Sequence, residues 1–214
     1  MNKYLRFYPL YFFFIYCAIF IGYSMMANYI LFDDALYYST YGEILGADRI
    51  EQMIEQQKNY QIWGYLLIPL ILLLRPFYTA TCLMTGSLLS EGEQNLKFGH
   101  SFNLALKADA IFLLEVMIRI NYFSIVGADS LQEINIPLFS AIQWLGVDNV
   151  VSYLAYPLGI LSVFEFIYWI LLSVFVSTYT QKGFWRSLYF VLTTYGIGLI
   201  LLCIAVMYIT SLFA

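Results

Sequence analysis

The chain has 214 residues, of which 62% are hydrophobic, 20% aromatic and only 11% charged, against roughly a quarter charged in an ordinary soluble domain. A soluble fold of this size leaves too much surface in water to hide that much apolar side chain, so the composition calls for lipid as solvent. The net charge of −4, with no basic run or stripe, excludes a nucleic-acid footprint.

Crossing a hydrocarbon core of about 30 Å takes roughly 20 apolar residues in a helix. Stretches of that kind fall at 9–32, 62–89, 102–126, 151–178 and 187–213. The first is longer than a signal-peptide core, and Ile30-Leu31-Phe32-Asp33-Asp34 offers no small-residue cleavage site, so it is expected to stay as an anchor. The runs are continuous rather than alternating, and amides in lipid must be paired within their own segment, which favours helices over a barrel. The expected fold is therefore all-α. It is a single transmembrane domain spanning 1–214, built as a polytopic bundle of about five helices in the cell membrane.

Basic residues in short connections orient such a bundle. Lys3, Arg6, Lys97, Lys182 and Arg186 fall on one side; Arg49 and Lys58 stand on the other among Asp33, Asp34, Glu43, Asp48, Glu51, Glu55, Asp129, Glu133 and Asp148. This bias places the N-terminus inside and, with an odd number of spans, the C-terminus outside. Aromatic residues gather at the boundaries, where rings sit at headgroup level: Tyr4, Tyr8 and Tyr11, then Tyr37, Tyr38 and Tyr41, then Tyr60, Trp63 and Tyr65, and finally Trp185 and Tyr189. In the external connections, Ile50, Met53 and Ile54 recur at helical spacing, as do Leu138, Ile142 and Leu145 beside Trp144. Both segments read as short amphipathic helices on the outer surface.

Six charged residues remain inside the apolar spans: Arg75, Lys107, Asp109, Glu115, Arg119 and Glu165. A charge near the bilayer centre costs at least about 2.5 kcal/mol, so these must be compensated inside the bundle. Arg75, Glu115 and Glu165 lie near the middle of their spans, at one common level. On a uniform helix turning about 100° per residue, Lys107, Glu115, Arg119 and Tyr122 share one stripe, with Glu115 and Arg119 at i, i+4. Asp109 points elsewhere and needs a partner on another helix; Lys107 is near enough to the inner surface to snorkel. Pro69 and Pro76 interrupt the second span, expected to kink it and free the carbonyls of Tyr65 and Leu72. Such a kink at the depth of the charges resembles the discontinuous helices of transporter sites. The charges read either as a buried ion-pair network fixing helix register or as the lining of a hydrated path, with Glu165 as the carrier.

No catalytic or metal constellation emerges, and no cofactor is called for. His100 stands without a second His or Cys at ligand spacing, Ser90, Ser101 and Cys82 lack a base, and Asp33-Asp34 reads as a solvated helix terminus. Cys17, Cys82 and Cys203 all lie in apolar stretches, so no disulfide is expected. The reading is of a non-enzyme.

The segment Leu161-Ser162-Val163-Phe164-Glu165-Phe166-Ile167-Tyr168-Trp169-Ile170-Leu171-Leu172, the short basic connection 181–186, and Tyr195-Gly196-Ile197-Gly198-Leu199 together resemble the last two spans of the Yip family. Its members are five-span proteins whose eukaryotic representatives interact with Rab GTPases in membrane traffic. The likeness covers about the last third of the chain. It implies a membrane scaffold or accessory subunit of a trafficking or export system, partnered by the bilayer and by another membrane protein or a second copy. The competing class is a small transporter or channel subunit built around the intramembrane charges.

Overall fold

The computed structural model describes residues 9–90, 96–128, 130–146 and 149–213. Lys3, Tyr4, Arg6, Tyr8, Asp129 and Asp148, which entered the orientation and boundary arguments, lie outside the described residues. The elements in chain order are all helical: α1 Pro9–Leu31, α2 Asp34–Tyr41, α3 Ala47–Leu89, α4 Phe98–Ala108, α5 Ala110–Val126, α6 Leu131–Asn135, α7 Ala141–Leu145, α8 Ser152–Ile160, α9 Val163–Thr180, α10 Phe184–Val191, a π-helical turn Leu192–Gly196, and α11 Ile197–Phe213. Among the described residues, four helices are long and apolar enough to cross a membrane: Leu10–Leu31, Ala47–Leu89, Val163–Thr180 and Phe184–Phe213.

The stretch 102–126 is not among the four because its ladder tightens at Asp109. That residue keeps right-handed helical angles (φ −60°, ψ −18°), and its N–H bonds to the Ala105 carbonyl at 2.9 Å. Phe112 N–H, however, reaches back only three residues, to the Asp109 carbonyl. The result is an 11-residue and a 17-residue helix joined by one residue. The stretch 151–178 is broken outright: Leu161 (φ −68°, ψ 75°) closes α8, and Ser162 (φ −121°, ψ 157°) is extended before α9. Residues 62–89, by contrast, run without interruption through both prolines as part of the 43-residue α3. The amphipathic segment around Ile50 and Ile54 is the first part of that same helix, a correction to the separate surface helix expected. Ile50 and Ile54 are buried, as are Leu138 and Ile142 of the second connection. Trp144 and Leu145 of the same connection stay exposed, at 74% and 54%.

The chain divides into two compact units. Unit 1 comprises residues 1–72 and 113–136, hence α1, α2, the first part of α3, most of α5, and α6. Asp33 caps α2, accepting from Ala35 N–H at 2.7 Å. Asp34 pairs with Lys58 at 3.2 Å, and Thr40 Oγ1 accepts from Leu131 N–H at 3.0 Å, tying α2 to α6.

Unit 2 comprises residues 73–112 and 137–214. Its core joins Leu83 of α3, Leu104, Ala105 and Ala108 of α4, Tyr168, Leu172 and Val176 of α9, and Phe190, Val191 and Tyr195 of the last helix. In lipid, helices associate through close packing of small residues rather than through expulsion of water. Ala80, Ser101, Ser173 and Ser187 are accordingly all fully buried here.

Candidate functional site

Three of the six charged residues that interrupt the apolar stretches come together in unit 2. Arg75 bonds through Nη2 to Glu165 Oε2, and its Nε lies 3.5 Å from Asp109 Oδ1. Both carboxylates are nearly sealed, at 6% and 3% exposure, while the Arg75 side chain is 35% exposed. One guanidinium therefore serves two acids from two different helical segments, each at a different nitrogen of its planar fork. Its flat faces are occupied too: the guanidinium carbon sits 3.6 Å from the Phe112 ring centroid and 4.7 Å from that of Tyr168. A cation over a desolvated ring is worth about 2 kcal/mol.

Glu165 accepts throughout. Its Oε1 takes Trp169 Nε1–H at 2.8 Å and the Tyr195 hydroxyl at 3.0 Å, leaving Oε2 to Arg75. Tyr195 in turn accepts from Arg75 Nη2 at 3.4 Å, and Tyr168 exchanges a hydrogen bond with Thr79 at 2.9 Å. The ring of contacts thus draws on α3, the α4–α5 junction, α9 and the π turn.

Local backbone positions each member. Ser162 caps α9, its Oγ accepting from Glu165 N–H at 3.2 Å, which puts Glu165 at the third helical position. Ser-Val-Phe-Glu is thus a capping-box sequence, except that the glutamate turns to Arg75 instead of back to the cap. In the first turn a carboxylate also faces the positive end of the helix dipole. The extended backbone before α9 is paired with the segment before α7: Ala141 N–H donates to Leu161 O at 2.9 Å, and Val163 N–H to Phe139 O at 3.2 Å. Phe139 adopts φ +54°, a left-handed conformation uncommon for a bulky side chain, and in it presents that carbonyl to α9. The π turn at Leu192–Gly196 carries Tyr195; such turns widen a helix by one residue and re-aim the side chain within them.

Glu165 consequently lies in the first turn of an 18-residue helix, not in the middle of a long one as its place in 151–178 suggested. At 1.5 Å per residue, Glu165 stands about 22 Å from the Thr180 end of α9, and Arg75 about 21 Å from the Leu89 end of α3. They share a level.

The remaining charges fall elsewhere. Glu115 and Arg119 lie in unit 1, 3.9 Å apart, and Glu115 Oε1 is buried without a hydrogen bond. Arg119 lines a cavity of about 240 Å³ with Ser24, Asn28, Gln57 and Asn135. Lys107 lies on α4 in unit 2. Phe112, Tyr168, Trp169 and Tyr195 escaped the sequence reading, although Glu165 and Trp169 stand at i, i+4 and Ser162 to Glu165 carries the signature of a helix start. No group of three or more metal-ligating side chains occurs among the described residues, and all three cysteines are free.

Comparison with family models, curated proteins and solved structures gives no match for this chain.

Proposed function

We propose that the chain is a non-enzymatic integral membrane scaffold, an accessory subunit of a larger membrane assembly, whose second unit is held rigid by the Arg75 cluster. The observation that carries this reading is the engagement of Glu165. Glu165 engages three donors on three helical segments, and the guanidinium is shared by two acids and flanked by two rings. A side chain meant to load and release a proton or substrate needs a vacant approach, whereas a fully engaged one fixes register. The resemblance of the last two spans to the Yip family points to an assembly concerned with trafficking or export.

The same reading includes five crossings with the N-terminus inside. Asp109 keeps helical angles between α4 and α5, and only an odd number of crossings keeps Lys97, Lys182 and Arg186 on one side.

Transport remains the second reading, and one observation favours it: two carboxylates share one cation, so the trio carries an excess negative charge that a proton or metal cation would neutralise. Reconstitution separates the two. Sealed liposomes containing the protein and an entrapped pH dye should hold an imposed pH gradient as well as protein-free liposomes, and Glu165→Gln should lower the melting temperature in detergent. A proton leak that Glu165→Gln abolishes while melting is unchanged replaces the scaffold by the transporter.

A further inference from the structure

Unit 2 carries a trough unrelated to the Arg75 cluster. It runs between the second half of α3, from Tyr78 to Ser90, and the last helix, from Arg186 to Leu201, with a volume of about 830 Å³, within the range of small-molecule sites. Its floor is a close helix contact. A Cβ on Gly86 would stand 1.9 Å from Thr194 Cγ2, and one on Gly198 would stand 2.5 Å from Cys82 Sγ; Tyr78 also donates to the Gly198 carbonyl at 2.6 Å. The two helices touch along this line.

By residue name the walls look polar; by surface they are not. Thr81 Oγ1 donates to Phe77 O at 2.9 Å, Thr193 Oγ1 to Tyr189 O at 2.9 Å, Thr194 Oγ1 to Phe190 O at 2.7 Å, and Ser90 Oγ to Ser87 O at 3.2 Å. These four hydroxyls are engaged by their own helices, which leaves the methyls of Thr81, Thr193 and Thr194 as their apolar surface. The charge lies at one end only, where Arg186 joins the lining. Trp185 and Tyr189 beside it are 79% and 71% exposed, as rings at headgroup level are. From Arg186 to Leu201 the last helix rises about 22 Å, matching one leaflet of a bilayer about 40 to 45 Å thick with its headgroups.

We propose that this trough holds one anionic glycerophospholipid from the leaflet on the Arg186 side, phosphate at Arg186 and acyl chain along the threonine methyls. A guanidinium suits a phosphate by geometry as well as by charge, and basic pockets between spanning helices are a known mode of lipid retention. The site stands whether the chain acts as scaffold or transporter.

Purified protein in nanodiscs of mixed phosphatidylglycerol and phosphatidylcholine, analysed by native mass spectrometry, provides the test. The natural chain should retain one phosphatidylglycerol in preference to phosphatidylcholine by roughly five-fold, the margin one arginine confers near an anionic headgroup. Arg186→Gln, at an exposed position, should erase the preference while lipid is still held. Thr85→Trp should fill the trough and displace lipid of both kinds, with far-UV circular dichroism checking that it folds. Equal retention by all three proteins would reduce the lipid to ordinary annular contact and overturn the proposal. So would competition by inorganic phosphate alone, or a change of oligomeric mass in Thr85→Trp, the latter showing that a second copy occupies the trough.

Discussion

At the scale of single residues, the two kinds of ion pair in this chain differ in what they are worth. Arg75 holds two nearly sealed carboxylates and lies against two rings, so its removal strands both charges in a medium that cannot solvate them. Arg75→Leu is expected to cost about 3 to 5 kcal/mol, the range for breaking a buried pair. Arg75→Lys should recover only part of this, because an ammonium lacks the flat faces that lie on Phe112 and Tyr168 and has fewer donors. The Glu115–Arg119 pair is a single contact and longer, at 3.9 Å, so less attraction is lost when it is broken. Arg119→Ala should still melt below the double variant Arg119→Ala, Glu115→Ala, since the single change leaves Glu115 alone. Thermal melting in one detergent ranks all four variants. Equal losses at Arg75 and Arg119 would mean that the Arg75 cluster is not the main tie of its unit.

At the scale of elements, length and period were legible and irregularities were not. Hydropathy marks where a chain can cross a membrane, and α1, the apolar part of α3, and the last helix follow that marking closely. It is blind to backbone breaks inside an apolar run, because Leu161 and Ser162 interrupt the ladder without interrupting hydrophobicity. The clue was local chemistry: a serine three residues before a glutamate starts a helix, even in the middle of a hydrophobic run. Ser162→Ala should therefore cost about 1 kcal/mol, as loss of a cap does. The prolines do not end the helix, since α3 stays helical through Pro69 and Pro76, as prolines are tolerated in spanning helices. Close packing of α3 on α11 makes a sharper test. Gly198→Ala places a methyl 2.5 Å from Cys82 Sγ and should cost about 1 to 3 kcal/mol, as overpacking does. Adding Cys82→Ala should restore most of it, leaving Tyr78 Oη, at 3.3 Å, as the tightest neighbour. Failure of the second change to rescue the first, in chemical unfolding from micelles, would place the strain elsewhere.

At the scale of the whole molecule, composition alone places the chain in lipid, and the open quantity is the number of crossings. It turns on α4 and α5, each too short to span by itself. If they cross as a pair joined at Asp109 and the N-terminus is inside, the order of sides follows. The segment before α3 would be outside, the one after α5 outside, and the connection between α9 and α10 inside with Lys182 and Arg186. If they do not cross, every later side inverts, and those two basic residues face out against the usual bias. Three positions decide between these. Glu43 and Gly183 are exposed and Ala128 is partly so, and Gly183 has open space where a side chain would go. In a background with Cys17, Cys82 and Cys203 replaced by alanine, single cysteines at these sites are treated with an impermeant maleimide in intact cells. Five crossings with the N-terminus inside require labelling at Glu43→Cys and Ala128→Cys but not at Gly183→Cys until the membrane is opened. Four crossings require labelling at Glu43→Cys and Gly183→Cys and protection at Ala128→Cys. Five crossings in the reverse orientation require labelling at Gly183→Cys alone. In either of the last two patterns Arg186 lies at the outer leaflet, and the lipid bound beside it would have to come from there.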